Sequence, residues 1–496
     1  MDFLTDWLTD WLKELLIGGI MGNLEGLTDY VNAQVGEIAV QVGTTPAAWN
    51  AGVFSLIRQL SETVILPIAG LVLTFVATYE LIQMLLEKNN MHEFDVANIY
   101  KWMLDAGVQR ASRRPVIARI TTDEGIYGDG EAGIALGTGA PGAFGMVQDL
   151  SRPIIGMDPF DTEKIYHRLL KSSFWGIGSG AIVMAGISAL DIALLDIKGK
   201  ALGVPVFQLL GGKTRNEMRN YASQLQFGWC DKIGPFGKSD DYVRITEYAL
   251  SQGYDCVKID FTQFDRNAVR MGTHAVEGIL PRPLVNMIDE RMGAIRSSLG
   301  YDFDIIVENH CRTDAISGTQ IGELCDKYKV MAYEEPAMPQ NPEMHKVIRS
   351  KIKTPIATGE RIYGTRMYYI FLKLDAVQLI QPDICNCGGL TEGKKICDLA
   401  AVFDATVQAH CAGSPISTAA ALHLEAAISN FCIHEHHFRS TQPALTSLCK
   451  YDYQPRNGKF YISDYEDKPG LGQEMSKSAM ENALMHVTVD EYWRGL

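Results

Sequence analysis

The stretch FDIIVENH, residues 303–310, is an apolar run that ends in a carboxylate and a histidine. Similar runs recur along the chain as YDCVKIDF, VMAYEEP, TPIATGER, AVQLIQPD, ATVQAHC and NFCIHEHH. Continuous apolar runs of this length are typical of parallel strands buried on both faces. From Glu308 onward the polar ends of the runs lie 23 to 27 residues apart, enough for one strand, one helix and two turns. They fall at Glu334, Glu360, Asp383, His410 and Glu435. The pattern predicts a repeated strand–helix unit.

Eight strands are available to this repeat. The stretch 218–227, MRNYASQLQF, supplies the first, and the run that contains Lys258 supplies the second. Lys258 precedes Glu308 by 50 residues, which indicates an insertion after the second strand. Eight parallel strands predict an α/β fold, a (β/α)₈ TIM barrel over residues 218–439. The active site of such a barrel lies at the carboxyl ends of its strands, where each polar cluster is found.

Three carboxylates end three successive strands and should converge at Glu308, Glu334 and Glu360. Like charges at one point raise each other's pKa, so the cluster calls for a cation. Hard oxygen ligands that leave room for water and substrate select Mg²⁺, one ion per site. Structural ion pairing with barrel lysines is the alternative, and three clusters at successive strand ends favour the metal site.

Two histidines accompany these carboxylates. Asp383 and His410 end the next two strands, and an aspartate beside a histidine fixes the imidazole tautomer and suits it to act as a general base. His310 lies two residues after Glu308 and should face the same way. A buried core histidine is the alternative for either one. Next to a carboxylate triad, we interpret the pair as a base and an acid on opposite sides of one substrate.

Residues 106–496 resemble the enolase superfamily, in its mandelate-racemase-like branch, and are most similar there to sugar-acid dehydratases of the D-galactonate dehydratase type. The matching motifs are LDIKGK, ENHCR, AYEEP, PIATGER, IQPDICNCGGLTEG, AHCAGSPISTAAALHLE and PGLG. The resemblance implies a modified barrel covered by an α+β capping domain. The cap would comprise residues 106–217 and be completed by residues from about 440 to 496.

The resemblance also implies roles for single residues. Glu308, Glu334 and Glu360 take the metal-ligand positions, although the first ligand is usually Asp. Asp383 and His410 take those of the general-base dyad, His310 that of the general acid, and Glu435 that of a residue that stabilises the transition state. Lys258 falls in the second-strand lysine motif, where Asp260 replaces a second basic residue, and we assign both to substrate binding.

The implied activity is that of a Mg²⁺-dependent dehydratase acting on a sugar acid of the aldonate class. It would remove the C2 proton, eliminate the 3-hydroxyl and yield a 2-keto-3-deoxy acid. A racemase or epimerase of the same superfamily and an inactive fusion of a membrane fragment to an enzyme stay open as alternatives. A zinc or iron–sulfur protein is disfavoured, because Cys385-x-Cys387 is a poor metal spacing and HEHH on a strand alternates between faces. The family implies a homo-oligomer.

Residues 1–105 have a different character and weakly resemble a conjugative-transfer membrane protein. Residues 1–15 have the periodicity of an amphipathic helix. Its apolar face could bind a membrane surface or pack on another protein element, and the sequence favours neither. Residues 63–86 form an apolar run with one charge, Glu80, for which a transmembrane helix is favoured over a buried one. Residues 1–90 would then anchor the protein to a membrane. The basic residues after the apolar run predict that the catalytic domain lies on the cytoplasmic side.

The composition excludes some other classes. A net charge of −14 argues against a nucleic-acid binder, and ten cysteines in 496 residues are too few for a disulfide scaffold. Two G-x-G-x-x-G matches, at 128–133 and 137–142, lie in or after a predicted hairpin and not at a strand-to-helix turn, so we interpret both as flexible loop and not as a dinucleotide site. We interpret residues 133–145 as a mobile lid. Substrate stereochemistry should depend on segments 130–146 and 226–242, with the candidate aromatic residues Phe144, Phe227, Trp229 and Phe236.

Overall fold

The computed structural model of the protein describes residues 114–134 and 139–490, which belong to the compact unit Asp105–Leu496. The predicted helical extension 1–105, with its amphipathic segment and its apolar run 63–86, lies outside the described residues. Within residues 114–134 and 139–490, no helix combines the length and the apolar character needed to cross a membrane.

The strands of the described residues form one large sheet and two small hairpin sheets. They are β1 Val116–Thr121, β2 Tyr127–Ala132, β3 Glu217–Ser223, β4 Gly228–Trp229, β5 Lys232–Ile233, β6 Cys256–Ile259, β7 Asp304–Glu308, β8 Ala332–Glu334, β9 Ile356–Thr358, β10 Leu379–Ile380, β11 Thr406–Val407, β12 His434–His437 and β13 Lys459–Tyr461.

The helices alternate with the strands of the large sheet from β3 to β12. They are α1 Ala140–Ser151, α2 Thr162–Ser172, α3 Ala181–Leu202, α4 Val206–Leu209, α5 Ser239–Ser251, α6 Arg282–Leu299, α7 Ala315–Lys327, α8 Pro342–Arg349, α9 Gly364–Lys373, α10 Gly389–Val402, α11 Pro415–Ala427, α12 Pro443–Thr446, α13 Ser463–Glu466 and α14 Lys477–Glu481. Short 3₁₀ helices cover Arg152–Ile154, Phe174–Gly178, Leu225–Phe227, Thr273–Val276 and Phe438–Thr441.

The large sheet confirms the predicted α/β class. Eight strands follow the order β11-β10-β9-β8-β7-β6-β3-β12, and each neighbouring pair is parallel. Strand β13 adds to β3 in the antiparallel direction. The two ends of the order also meet, because Val407 in β11 forms a parallel bridge with Phe431, just before β12.

Six strands of this sheet, and the residue just before β12, each contribute one side chain to a buried apolar cluster. These buried side chains form one cluster, Tyr221, Cys256, Ile306, Ala332, Ala357, Leu379 and Ile433. Side chains two residues further along a strand point to the same face. The residues at those positions are Ser223, Lys258, Glu308, Glu334, Gly359, Gln381 and Glu435. The pleat therefore places a polar layer directly above an apolar one, at the carboxyl ends of the strands.

The N-terminal part of the described chain is a hairpin packed on helices, as an α+β cap requires. Strands β1 and β2 pair in the antiparallel direction, and Gly125 takes a positive φ of 81° in the turn between them. Gly130 in β2 lies so close to α3 that an added Cβ would stand 1.9 Å from the Ala189 carbonyl oxygen. The first G-x-G-x-x-G match thus belongs to a strand–helix contact, and its interpretation as a flexible loop was wrong.

The predicted lid over residues 133–145 needs a second correction. Its final residues, from Ala140 onward, are helical and belong to the start of α1. Pro141 lies in the first turn of this helix, where proline is tolerated. Residues 135–138 lie outside the described residues. The ten cysteines are all free, which agrees with the predicted absence of a disulfide scaffold.

Candidate active site

Lys258 lies at the centre of the polar layer and is fully buried. Its Nζ stands 2.8 Å from Glu334 Oε1, 2.9 Å from Glu435 Oε1 and 3.3 Å from Glu308 Oε1. Burial opposes the charged ammonium, but the three carboxylates outweigh it and hold the pKa of Lys258 well above its usual range. The Lys258 ammonium group thus forms ion pairs with carboxylates from three different strands.

The three candidate metal ligands lie at neighbouring strand ends. Glu308 and Glu334 are partners in the β7–β8 register, and Glu360 follows the end of β9 by two residues. Gln381 Nε2 donates to Glu334 Oε2 at 2.5 Å, and Arg361 pairs with Glu360. Burial raises the pKa of Glu334 to about 8; Lys258 opposes this rise, and the neighbouring carboxylates add to it.

Asp383 and His410, the residues predicted to form the base dyad, are in contact. Asp383 and His410 follow the ends of β10 and β11, and the two residues form a parallel bridge. His410 Nδ1 lies 2.8 Å from Asp383 Oδ2, while its Nε2 faces Glu360 Oε2 at 3.2 Å. Burial lowers the pKa of His410, but Glu360, Glu435 and Asp383 outweigh this and raise it to about 10. One nitrogen is therefore held by the aspartate and the other faces the carboxylate cluster.

His310 approaches the cluster from another strand. It follows β7 with a positive φ of 52°, and its Nε2 lies 3.0 Å from Glu308 Oε1. Its Nδ1 stands 3.4 Å from Asp260 Oδ2. Burial disfavours the imidazolium, but Glu308 and Asp260 hold the pKa of His310 well above its usual range. Because β8, β9 and β10 separate β7 from β11, the two histidines flank the carboxylates.

Glu435 closes the polar layer on the β12 side. Its Oε1 accepts a hydrogen bond from Ser223 Oγ at 2.6 Å, and its Oε2 accepts one from the Cys411 backbone N–H at 2.9 Å. Burial would raise its pKa, but Lys258 and His410 outweigh this and lower it to about 2. Glu435 is therefore a fixed negative charge beside the dyad.

Family comparisons agree with this geometry. The model described as "Enolase C-terminal domain-like" matches residues 241–479, and "Mandelate racemase / muconate lactonizing enzyme, N-terminal domain" matches residues 103–211. D-xylonate dehydratase of Haloferax volcanii is 31% identical over 369 residues, which cover 74% of this chain and 84% of the relative. The chain belongs to the enolase superfamily.

Two further relatives extend the comparison. D-galactonate dehydratase of Xanthomonas axonopodis pv. citri is 29% identical over 384 residues, covering 75% of this chain and 92% of the relative. A crystal structure titled as a member of the enolase superfamily from Salmonella Typhimurium is 47% identical with a TM-score of 0.72, covering 75% of this chain and 94% of that one. Residues 31–110 match a different model, "TrbL/VirB6 plasmid conjugal transfer like protein".

Enolase-superfamily membership raises the question of a metal. Among residues 114–134 and 139–490, no three His, Cys, Asp or Glu side chains are grouped closely enough to hold an ion. The oxygens of Glu308, Glu334 and Glu360 instead meet Lys258, the two histidines, Arg361 and amide groups. The donor chemistry nevertheless fits Mg²⁺, since three buried carboxylates offer hard oxygen ligands and their like charges raise the pKa of Glu334.

A cavity of about 330 Å³ opens beside His310. Its lining residues are His310, Cys311, Met338, Pro339, Gln340, Arg361 and Tyr363. None of the four aromatic residues predicted to set stereochemistry is among them. Trp229 is instead fully buried and packs edge-to-face on Tyr254.

Sequence reasoning missed several uncharged members of the site. Gln224, just after β3, donates to both oxygens of Glu308 at 3.1 and 3.2 Å. Gln381 and Gln408 bond to each other at 2.6 Å beneath Glu334. Gln381 lies two residues before Asp383, so the alternation of the strand could have found it. No comparable signal marks Gln224, because it lies past the strand with a positive φ of 67°.

The HEHH run of β12 alternates between faces, as predicted. Glu435 faces the polar layer, while His434 Nδ1 lies 2.6 Å from Glu425 Oε2 on α11. His436 Nδ1 lies 2.6 Å from the Tyr254 hydroxyl. These two histidines thus have partners outside the polar layer.

Proposed function

We propose that this enolase-superfamily enzyme is a Mg²⁺-dependent hydro-lyase that dehydrates sugar acids of the aldonate class. The observation that carries the proposal is the placement of two imidazole Nε2 atoms. Those of His310 and His410 face Glu308 and Glu360 at 3.0 and 3.2 Å, from β7 and β11, which lie on either side of the strands that end in Glu334 and Glu360. The names of the relatives, D-xylonate dehydratase and D-galactonate dehydratase, support the reaction class.

Glu308, Glu334 and Glu360 would hold the ion. When bound, Mg²⁺ supplies a fixed positive charge that stabilises negative charge developing on the substrate carboxylate. Lys258 adds a second, protein-borne positive charge beside Glu334 and Glu435.

His410 acts as the general base. An ion held by Glu360 would offset the negative charge that raises the pKa of His410 and would favour an unprotonated Nε2. Nε2 then takes the C2 proton, and Asp383 accepts a hydrogen bond from Nδ1–H and stabilises the imidazolium that forms. The C2–H bonding electrons then form the C2–C3 double bond as the C3–O bond breaks. His310 Nε2 gives its proton to the departing hydroxyl, which leaves as water. The resulting enol tautomerises to a 2-keto-3-deoxy acid.

A racemase or epimerase is the second candidate, and one observation favours it. Each histidine has a carboxylate at Nδ1, so either could serve as a base. A 1,1-proton transfer would use both histidines without loss of water. Asp260, directly after β6, stands in place of a second basic residue, which weighs against a racemase that uses two lysines as its bases.

A sugar-acid library incubated with the full chain, with and without EDTA, tests the proposal. A 2-keto acid product that EDTA abolishes is the expected result. Incorporation of deuterium at C2 in D₂O with no keto acid would support the epimerase. The absence of both would contradict the two reactions and support the inactive fusion. Homo-oligomer formation and membrane association through residues 1–90 stay predictions.

A further inference from the structure

The carboxylate of Asp260 is fully buried directly after β6. Its Oδ1 accepts hydrogen bonds from the Thr262 backbone N–H at 2.8 Å and from the Thr262 hydroxyl at 2.7 Å. Its Oδ2 accepts one from Arg312 Nη2 at 2.8 Å. The carboxylate is therefore anchored at both oxygens by groups other than His310.

The Oδ2 atom of Asp260 also faces His310. The Nδ1 atom of this histidine lies 3.4 Å from Asp260 Oδ2. With Nδ1 held on that side, Nε2 faces the polar layer, 3.0 Å from Glu308 Oε1 and 3.0 Å from Gln224 Nε2.

The same construction occurs across the site. Asp383 Oδ1 accepts from the backbone N–H two residues later, that of Cys385, at 2.8 Å, as Asp260 Oδ1 does from Thr262. Asp383 Oδ2 faces His410 Nδ1 at 2.8 Å. In both pairs the aspartate follows one strand and the histidine follows the next, and the second imidazole nitrogen faces a predicted metal ligand.

We propose that Asp260 is the positioning residue of the general acid and forms a second Asp–His dyad with His310. The inference rests on the proposed dehydratase function. Asp260 holds Nδ1–H, and the tautomer and ring orientation that follow from it aim the Nε2 proton at the leaving hydroxyl. This role replaces the predicted role of Asp260 in substrate binding, because both of its oxygens are already engaged and neither is exposed.

Asp260→Asn in the full chain tests the proposal, with Asp265→Asn as the matched control, since Asp265 is a partly buried aspartate in the segment after β6. The dehydration kcat should fall by about 10²–10⁴-fold, the range that a positioned general acid contributes. KM should change by less than about threefold, and C2 deuterium exchange should persist, since His410 and Asp383 are intact. In the His310→Asn background, which retains only C2 exchange, Asp260→Asn should cost no further exchange.

Several results would overturn the proposal. These are an unchanged kcat, a rise in KM alone, or an equal loss of exchange and dehydration. If Asp260→Asn does not fold, Asp260→Glu, which keeps the charge, should still lose more dehydration than exchange, and an equal loss would again contradict the role. Failure of the proposed function looks different, because the wild-type chain itself would then release no keto acid.

Discussion

Glu131 in strand β2 of the cap accepts hydrogen bonds from both the backbone N–H and the hydroxyl of Ser414, four residues after His410. The N–H lies 3.0 Å from each carboxylate oxygen, and the hydroxyl lies 2.5 Å from Oε2. Ser414 is also the N-cap of α11, so the carboxylate lies at the positive end of a helix dipole. One buried side chain thus ties the cap to the segment that carries the candidate base.

Glu131→Gln should change how stability depends on pH. Burial raises the pKa of Glu131 to about 7 despite the hydrogen bonds from Ser414. The folded state therefore binds this proton more tightly than the unfolded state, whose carboxyl has a pKa of about 4.3. Deprotonation of Glu131 therefore costs the folded state more than the unfolded state. As the pH rises from 4 toward 7, the free energy of unfolding should fall by an amount on the order of 3 kcal/mol.

Thermal melts between pH 4.5 and 7.5 check this prediction. The wild-type Tm should fall more steeply with pH than that of Glu131→Gln, with Glu124→Gln at the exposed hairpin turn as the control. Parallel curves for the wild type and Glu131→Gln would show that this carboxyl does not titrate as described.

Replacing the two histidines should separate two activities. His410→Asn removes the base and should abolish both dehydration and C2 exchange. His310→Asn removes the acid and should abolish dehydration while some exchange persists, because the dyad of His410 with Asp383 is untouched. Deuterium incorporation by NMR and keto-acid release measure the two activities in parallel. Normal dehydration by the His310 variant would show that another group protonates the leaving hydroxyl.

The strand ends of the site were predictable, because alternation along a buried strand is a local property. A carboxylate or lysine two positions after an inward apolar residue must face the same way, which located Lys258, Glu308 and Glu334. Which charges pair with each other depends on the order of strands around the sheet. The sequence alone did not show that Lys258 contacts three carboxylates, or that the carboxylate of Asp260 contacts His310.

Lys258→Met should leave three buried carboxylates without their shared cation. Removal of one partner of a buried ionic cluster costs about 3–5 kcal/mol, so the Tm in EDTA should fall by several degrees. Mg²⁺ should then raise the Tm of the variant more than that of the wild type, since it supplies the missing positive charge. Melting curves with EDTA and with Mg²⁺ provide the test. If Mg²⁺ raised the Tm of both proteins equally, Lys258 and the ion would not share one site. Lys213→Met on the surface is the control.

Two glycine-to-alanine changes in the cap should have opposite effects on stability. At Gly130 a Cβ would stand 1.9 Å from the Ala189 carbonyl oxygen, and backbone atoms of α3 cannot move aside as a flexible side chain can. We expect Gly130→Ala to destabilise the enzyme by about 1–3 kcal/mol or more, because strand and helix must separate. At Gly145, in α1, nothing lies within 4 Å of the new Cβ, and alanine is favoured over glycine in a helix by about 1 kcal/mol. Urea titrations of both variants measure the two changes.

Because β2 also carries Glu131, the Gly130 variant should lose dehydration activity at temperatures where it is still folded, whereas the Gly145 variant should keep it. A Gly130→Ala variant as stable as the wild type would show that β2 and α3 are not in the close contact described.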